Sequence, residues 1–354
     1  MLLEFIIALG ALILLHEAGH FLVGLLFGFK IEEFGVGYPP RLLKLFTWKG
    51  IDFTINLIPF GGFVRFKGEN DPKEMDGFYA QNKWKRLAVL LAGPVMNLLV
   101  GIILFAIVLS NTGKVIPEEV YIQYVEPNTP AASAGFQVND QIMSVNEIET
   151  ESMLTIGAVV QENLGQEISV IVERGGTQET ISVIPREEYP DDQGPLGIVM
   201  TNPIVPLSFG EVLSNSFDIT RTQGEQLIKM PFQLARGDVE PEEVRLVSPK
   251  GIYDIYSQVR VAEQEAEVDR KDEIMNILWF FGIISVSLGY TNLLVPFPAL
   301  DGGRILFLIP ELIANKKLPA KVENLVNVIG FTILIILMVF VFIQDFTNPI
   351  VLPK

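Results

Sequence analysis

The sequence predicts a polytopic α-helical membrane protein with four transmembrane helices, a membrane-associated β-hairpin, and a β-rich domain inserted between the second and third spans. Three observations carry that reading. Of 354 residues, 49% are apolar and 19% charged, a balance unusual for a soluble domain. The apolar residues gather in blocks at about 2–28, 87–109, 274–295 and 325–344, each close to the roughly 20 residues a helix needs to cross a bilayer. Between the second and third blocks the pattern changes to strand-like alternation cut by turn signals.

The first block lacks a basic n-region, having Glu4 instead, and runs on to Phe29, so it is expected to be a retained span. Lys30, Arg41, Lys44, Lys49, Arg65, Lys67, Lys83, Lys85 and Arg86 separate spans one and two, and Lys316, Lys317 and Lys321 separate spans three and four. The excess of cations predicts that both connections are cytoplasmic, with both termini and the long 111–272 segment outside. Residues 51–66, "IDFTINLIPFGGFVRF", alternate on both sides of Pro59-Phe60-Gly61-Gly62 and read as a hairpin whose edge could accept another strand. From Val120 to Val199 the runs "EISVIVER" and "TISVIP", with turns at Asn139-Asp140 and Gly175-Gly176, predict a small β-rich domain. Residues 207–272 have a helical, acidic texture with Phe209, Val212, Leu213 and Phe217 on one face. The expected divisions are 1–110, 115–201, 202–272 and 273–354.

A net charge of -16 argues against a nucleic-acid partner. The chain has no cysteine, which excludes disulfides, thiolate ligands and a cysteine nucleophile.

The chain's two histidines lie in the first span, in "HEAGH". His-Glu-x-x-His on a helix sets His16 and His20 on one face, both able to reach one zinc ion, and leaves Glu17 beside it to act on water. Ionisable groups are costly within lipid, so they point to function. A catalytic zinc takes three protein ligands. With no further histidine or cysteine, the third must be an oxygen. Glu4 is too far along the same helix, whereas Asp301 follows the third span, where Pro296 and Pro298 break the helix and Gly302-Gly303 permit close backbone approach.

These motifs, in this order, resemble the site-2 protease family of intramembrane zinc metalloproteases, in its bacterial RseP-like branch with one PDZ domain. "HEAGH" is similar to the family's zinc helix, "LIPFGGFVRFKGE" to its membrane-associated β-hairpin, "LAGPVMN" to its second-helix motif and "NLLVPFPALDGGR" to the segment supplying the third ligand. "EPNTPAASAGFQVNDQIMSVN" resembles a PDZ core, "GPLGI" (194–198) the carboxylate-binding loop of a circularly permuted PDZ domain, and "VSPKGIYDI" a segment following that domain. The sequence departs from the pattern at Val295, an extra residue before Pro296, and at Ser248-Pro249, where Gly-Pro is usual.

The resemblance implies a Zn2+-dependent endopeptidase of a bacterial inner membrane that cleaves membrane-spanning substrates such as anti-sigma factors or remnant signal peptides. It places Asn97, Asn292, Gly61 and Gly62 near the substrate, and Gly194, Leu196 and Gly197 in a loop able to hold a peptide C-terminus. Two other readings remain open on the sequence. Intramembrane His, Glu and Asp could form the cation or proton pathway of a transporter or channel, and the PDZ segment could serve a catalytically inactive scaffold.

Overall fold

The computed structural model describes residues 1–69, 74–190, 193–239, 245–298 and 300–352. The chain divides into two compact units, Met1–Val108 with Gly210–Lys354, and Leu109–Phe209.

Helix α1 (Leu2–Leu26) buries Phe5, Leu12, His16, Gly19, His20 and Gly24, a stripe at three- and four-residue spacings. Leu3, Ile7, Leu22 and Leu26 are exposed on other faces. An apolar outer surface on a helix whose backbone bonds itself suits hydrocarbon. The chain then turns at Gly28, whose positive φ of 74° suits glycine.

Strands β1 (Ile31–Trp48) and β2 (Ile51–Phe66) follow. The expected hairpin confined to residues 51–66 is corrected here. The turn is Lys49-Gly50, both at positive φ, and β2 pairs with β1 throughout. Pro39-Pro40 inside β1 disguised it, because proline within a run demotes a predicted strand. The register is folded back on itself. Glu33–Val36 faces Asp52–Ile55 on one side and the stretch from Arg65 back to Gly62 on the other. Pro59 to Gly62 is therefore part of the long connection around β1, and Gly62–Phe66 forms an edge with no further strand among the described residues. Within the sheet the buried Glu33 carboxylate accepts from Thr54 Oγ1, Arg41 Nη2 and Arg65 Nη1, each at 2.8 Å. A carboxylate taken out of water is tolerated because it is paired on every side.

A short 3₁₀ turn (Phe78–Ala80) leads into helix α2 (Lys83–Thr112). Helices α1 and α2 meet so closely that a Cβ on Gly19 would lie 2.4 Å from the Ala92 carbonyl oxygen.

Among its described residues, the second unit has a six-stranded antiparallel sheet and two helices. Strands β4 (Val120–Val125), β5 (Gln141–Val145), β7 (Ile168–Arg174), β8 (Thr177–Val183) and β9 (Ile198–Thr201) lie in the order β8-β7-β5-β4-β9, with β6 (Ile148–Glu149) paired to β5. The short β3 (Lys114–Val115) pairs with β10 (Ile204–Val205). Alternation along β7 buries Ile168, Val170 and Val172 against Ile156 and Val160 of helix α4 (Met153–Glu162). Helix α3 (Pro130–Ala134) is capped by Thr129 and stopped at Gly135. Asp140 anchors the turn before β5, accepting from Arg174 Nε and Nη2, both at 2.7 Å.

In the first unit the chain continues as α5 (Phe209–Arg236), α6 (Pro249–Glu265), α7 (Arg270–Leu294), α8 (Asp301–Ala314) and α9 (Ala320–Thr347). The helical texture expected over 207–272 is thus carried by α5 and α6. Among the described residues, four helices are long and apolar enough to cross a membrane: Leu2–Leu26, Lys83–Thr112, Arg270–Leu294 and Lys321–Thr347.

Polar ties fix these helices at their ends. Ser248 caps α6, and its N–H (2.8 Å) and hydroxyl (2.5 Å) both donate to Asp345 Oδ2 while Arg245 donates to Oδ1 (2.7 Å). Serine in place of the usual glycine at 248 therefore supplies both a cap and a bond to α9. Helix α8 is held at its far end by Lys83, whose Nζ donates to the carbonyls of Glu311 (3.0 Å) and Leu312 (3.2 Å), and by the Arg86–Glu311 pair at 2.8 Å. Arg86 also lies 4.7 Å over the Tyr79 ring. The Tyr79 hydroxyl donates to Glu323 of α9 at 2.6 Å. Burial, followed by that carboxylate, raises the Tyr79 phenol above its ordinary pKa, so it stays a donor.

Candidate metal centre

Two polar helix turns and one interhelical turn converge at the centre. On α1 the four-residue spacing stacks His16 and His20 on the buried stripe, with Nε2 atoms 3.2 Å apart. Asp301 opens α8, and its Oδ2 lies 3.1 Å from His16 Nε2 and 3.4 Å from His20 Nε2. A tetrahedral zinc with bonds of about 2.0–2.1 Å requires ligand atoms about 3.3 Å apart, so the three atoms already stand at the corners of one face of such a site.

The other ring nitrogens are committed elsewhere. His20 Nδ1 lies 2.7 Å from the Val89 carbonyl, so it carries the proton and donates. His16 Nδ1 lies 3.3 Å from the Asn97 side-chain amide, whose second polar atom is buried without a partner. Turned over, the amide places its oxygen against an Nδ1 proton, which again leaves Nε2 for a metal. Both imidazoles therefore present the same nitrogen inward.

Room for an ion is provided by α2. A Cβ built on Gly93 would fall 2.2 Å from His20 Nε2 and 2.7 Å from His16 Nε2. Gly93→Ala is accordingly expected to lower zinc occupancy sharply while the protein remains folded in detergent, measured by metal analysis and thermal melting. Full occupancy in that variant would show that the space is not needed.

The turn after α7 explains how Asp301 arrives. Val295 is the extended residue that caps α7, and Phe297 N–H donates back to its carbonyl at 2.7 Å. The extra residue is thus absorbed in the turn, leaving Asn292 on the last turn of the helix with its Nδ2 donating to Leu288 O at 3.0 Å. The returning chain packs so tightly that a Cβ on Gly302 would stand 2.7–3.0 Å from the carbonyls of Leu293, Val295 and Asn292, and one on Gly303 2.0 Å from that of Phe297.

A cavity of about 740 Å³ opens on the centre, lined by Glu17, Asn97, Asn292, Gly61 and Gly62 among others. Glu17 has no hydrogen bond or ion pair among the described residues. Its Cγ packs against Gly62, where a Cβ would come within 2.9 Å, so the free edge of β2 passes directly by this carboxylate. Gly61 has φ of 92° and lies under the Tyr38 ring. Of the residues expected near substrate, Asn292, Gly61 and Gly62 border the cavity, while Asn97 also reaches behind His16.

Gly194, Leu196 and Gly197 belong to the second unit. Leu196 is buried, its carbonyl accepts from Ala131 N–H (3.1 Å), and Gly197 N–H donates to Gly194 O (3.1 Å). The Gly197 amide is therefore already used within the loop. Sequence reading missed Tyr38, Glu69 and Arg304, all on the cavity wall. The three-residue step from Asp301 to Arg304 on one helix was the available signal for the last.

Comparison with known proteins agrees with this chemistry. The family model described as Peptidase family M50 matches residues 4–337. A Clostridium perfringens protein, provisionally named a zinc metalloprotease, is 30% identical over 98% of this chain and 98% of its own length. The zinc metalloprotease RasP of Oceanobacillus iheyensis is 27% identical, over 96% of this chain and 97% of its own. Among solved structures, the PDZ domain of an SdrC-like protein from Listeria monocytogenes aligns with 25% of this chain and 93% of its own at 20% identity, with a TM-score of 0.22, too low for any inference of fold. With a family model spanning most of its length and relatives matching end to end, the chain belongs to Peptidase family M50 and is a zinc-dependent intramembrane metalloprotease.

Proposed function

We propose that the protein hydrolyses a peptide bond within or beside the membrane-spanning segment of a substrate protein, with His16, His20 and Asp301 holding zinc and Glu17 as the general base. The observation that carries this is the meeting of three ligand atoms within 3.1–3.4 Å of one another beside a free carboxylate and an open strand edge. When bound, zinc supplies Lewis acidity to the carbonyl and to water. Glu17 takes a proton from the attacking water as its oxygen adds to the carbonyl carbon, then passes the proton to the nitrogen as the C–N bond breaks. Asn97 and the Val89 carbonyl fix the two imidazoles.

A helical substrate hides its carbonyls in its own hydrogen bonds and must unwind before attack. The Gly62–Phe66 edge is suited to hold the unwound stretch by strand addition, and Asn292 to meet its backbone. Val64→Pro is expected to cut turnover about tenfold or more with zinc content unchanged, because proline removes an edge donor. Turnover equal to wild type would leave the edge a passive wall.

The cation-rich connections between spans one and two and between spans three and four support a reading in which the metal lies toward the cytoplasmic side of a bacterial inner membrane, with both termini and the 115–201 domain outside. That domain is proposed to be a PDZ domain, either receiving peptide C-termini at Gly194–Gly197 or excluding substrates with bulky outer domains. Anti-sigma factors and remnant signal peptides are the substrate classes implied by resemblance. A cation pathway is disfavoured because paired ligands at metal-chelating distance would trap an ion. The test is cleavage of a single-span substrate by purified protein, lost on chelation and restored by zinc. Failure of zinc to restore activity would overturn the assignment.

A further inference from the structure

Lys67 N–H donates to the carbonyl of Lys30, the residue just before β1, at 2.8 Å, so it faces the β1 side. By the two-residue alternation of a strand, the N–H groups of Phe66, Val64 and Gly62 face the open side. The first of these is already taken. Phe66 N–H donates to Glu69 Oε2 at 3.3 Å, and the same carboxylate is paired with Arg304, one turn beyond Asp301 on α8. Both side chains are largely shielded from solvent, at 15% and 33% exposure. The acceptor that an added strand would offer to Phe66 is thus supplied by the protein itself, while among the described residues no such side-chain acceptor is offered to Val64 or Gly62.

We propose that Glu69 and Arg304 determine cleavage position by closing the edge of β2 and presenting a polar stop to the extended substrate. The inference rests on the strand docking proposed above. The cavity wall is apolar at Ile13, Leu288, Phe331 and Leu334, and away from the metal centre its other charged residues are Glu32 and Arg65, the latter already paired with Glu33. An apolar substrate side chain pressed on the ion pair would strip water from it without a compensating bond, whereas a polar one keeps it solvated. The first polar residue at the substrate's membrane boundary therefore settles against the pair. Because the stop lies about 13 Å along the strand from Gly62, the bond beside Glu17 is a fixed number of residues from that boundary.

The test uses the full-length protein in proteoliposomes and single-span model substrates with about 20 Leu and Ala residues. The substrates differ only in the position of one lysine in the cytoplasmic flank. Moving the lysine by two residues is expected to move the cut, read by mass spectrometry, by two residues. With Glu69→Met and Arg304→Met combined, the cut is expected to stop following the lysine and to spread over several bonds. Glu69→Gln, whose amide oxygen can still accept from Phe66, should keep the wild-type site. A wild-type cut that ignores the lysine overturns the proposal, and so does a zinc-loaded double variant that follows it. If the double variant does not fold, the wild-type series decides alone. Failure of the docking reading is seen separately, as unaltered turnover of the same substrates by Val64→Pro.

Discussion

Glu17→Gln is expected to reduce cleavage by about 10²–10⁴-fold, with zinc bound as in the wild type. Glutamine preserves the length and shape of the side chain against Gly62 but has no basicity, so it can neither remove the proton from water nor return it to nitrogen. The two imidazole Nε2 atoms and the Asp301 oxygen, 3.1–3.4 Å apart, make up the proposed chelating set without Glu17. The substitution therefore separates proton transfer from metal binding. Metal analysis and single-turnover cleavage on one preparation make the check. Loss of zinc in the variant would make Glu17 a ligand and not the base, and unchanged cleavage would require another base on the cavity wall.

What the sequence disclosed follows from which interactions are local. His16 and His20 are related by one helical turn, so spacing alone placed them together. Asp301 was reached by elimination, aided by a chain with two histidines and no cysteine. The ends of the four apolar helices lie within about four residues of the blocks seen in hydropathy, because the need for apolar length is also local. Pairing in the sheet was not legible. Alternation marks β2 as a strand but carries no information about its partner, and the partner holds two prolines. The Lys49-Gly50 turn was hidden for the same reason.

Close approach between helices was only half visible. Gly302 and Gly303 stood out beside the prolines, whereas the demand on Gly93 arises from side chains of another helix and has no signature of its own. Asn97 illustrates the same limit. Its place in "LAGPVMN" suggested a position near substrate, and it does line the cavity, but its further contact with His16 is one that only tertiary packing can decide. The Glu69–Arg304 pair joins residues 235 apart in the chain, beyond the reach of any local pattern.

Asp301→Ala is expected to lower zinc affinity by more than about 100-fold and to remove proteolysis, as His16→Ala and His20→Ala should. The lower bound comes from comparison: loss of an outer partner that merely orients a ligand typically costs 10–100-fold, and loss of the ligand itself must exceed that. Asn97→Ala supplies the internal control, since it should weaken binding within that smaller range and regain activity when zinc is raised. Alanine at 301 should not disturb the turn, because the tight packing there falls on Gly302 and Gly303 and the Asp301 carboxylate points to the histidines. The expected order of zinc retention against a competing chelator is therefore wild type, Asn97→Ala, then Asp301→Ala. Asp301→Asn refines the test by keeping an oxygen in place while removing its charge, and should fall between the last two. Normal zinc content together with full cleavage in Asp301→Ala would remove Asp301 from the ligand set and reopen the search for the third oxygen.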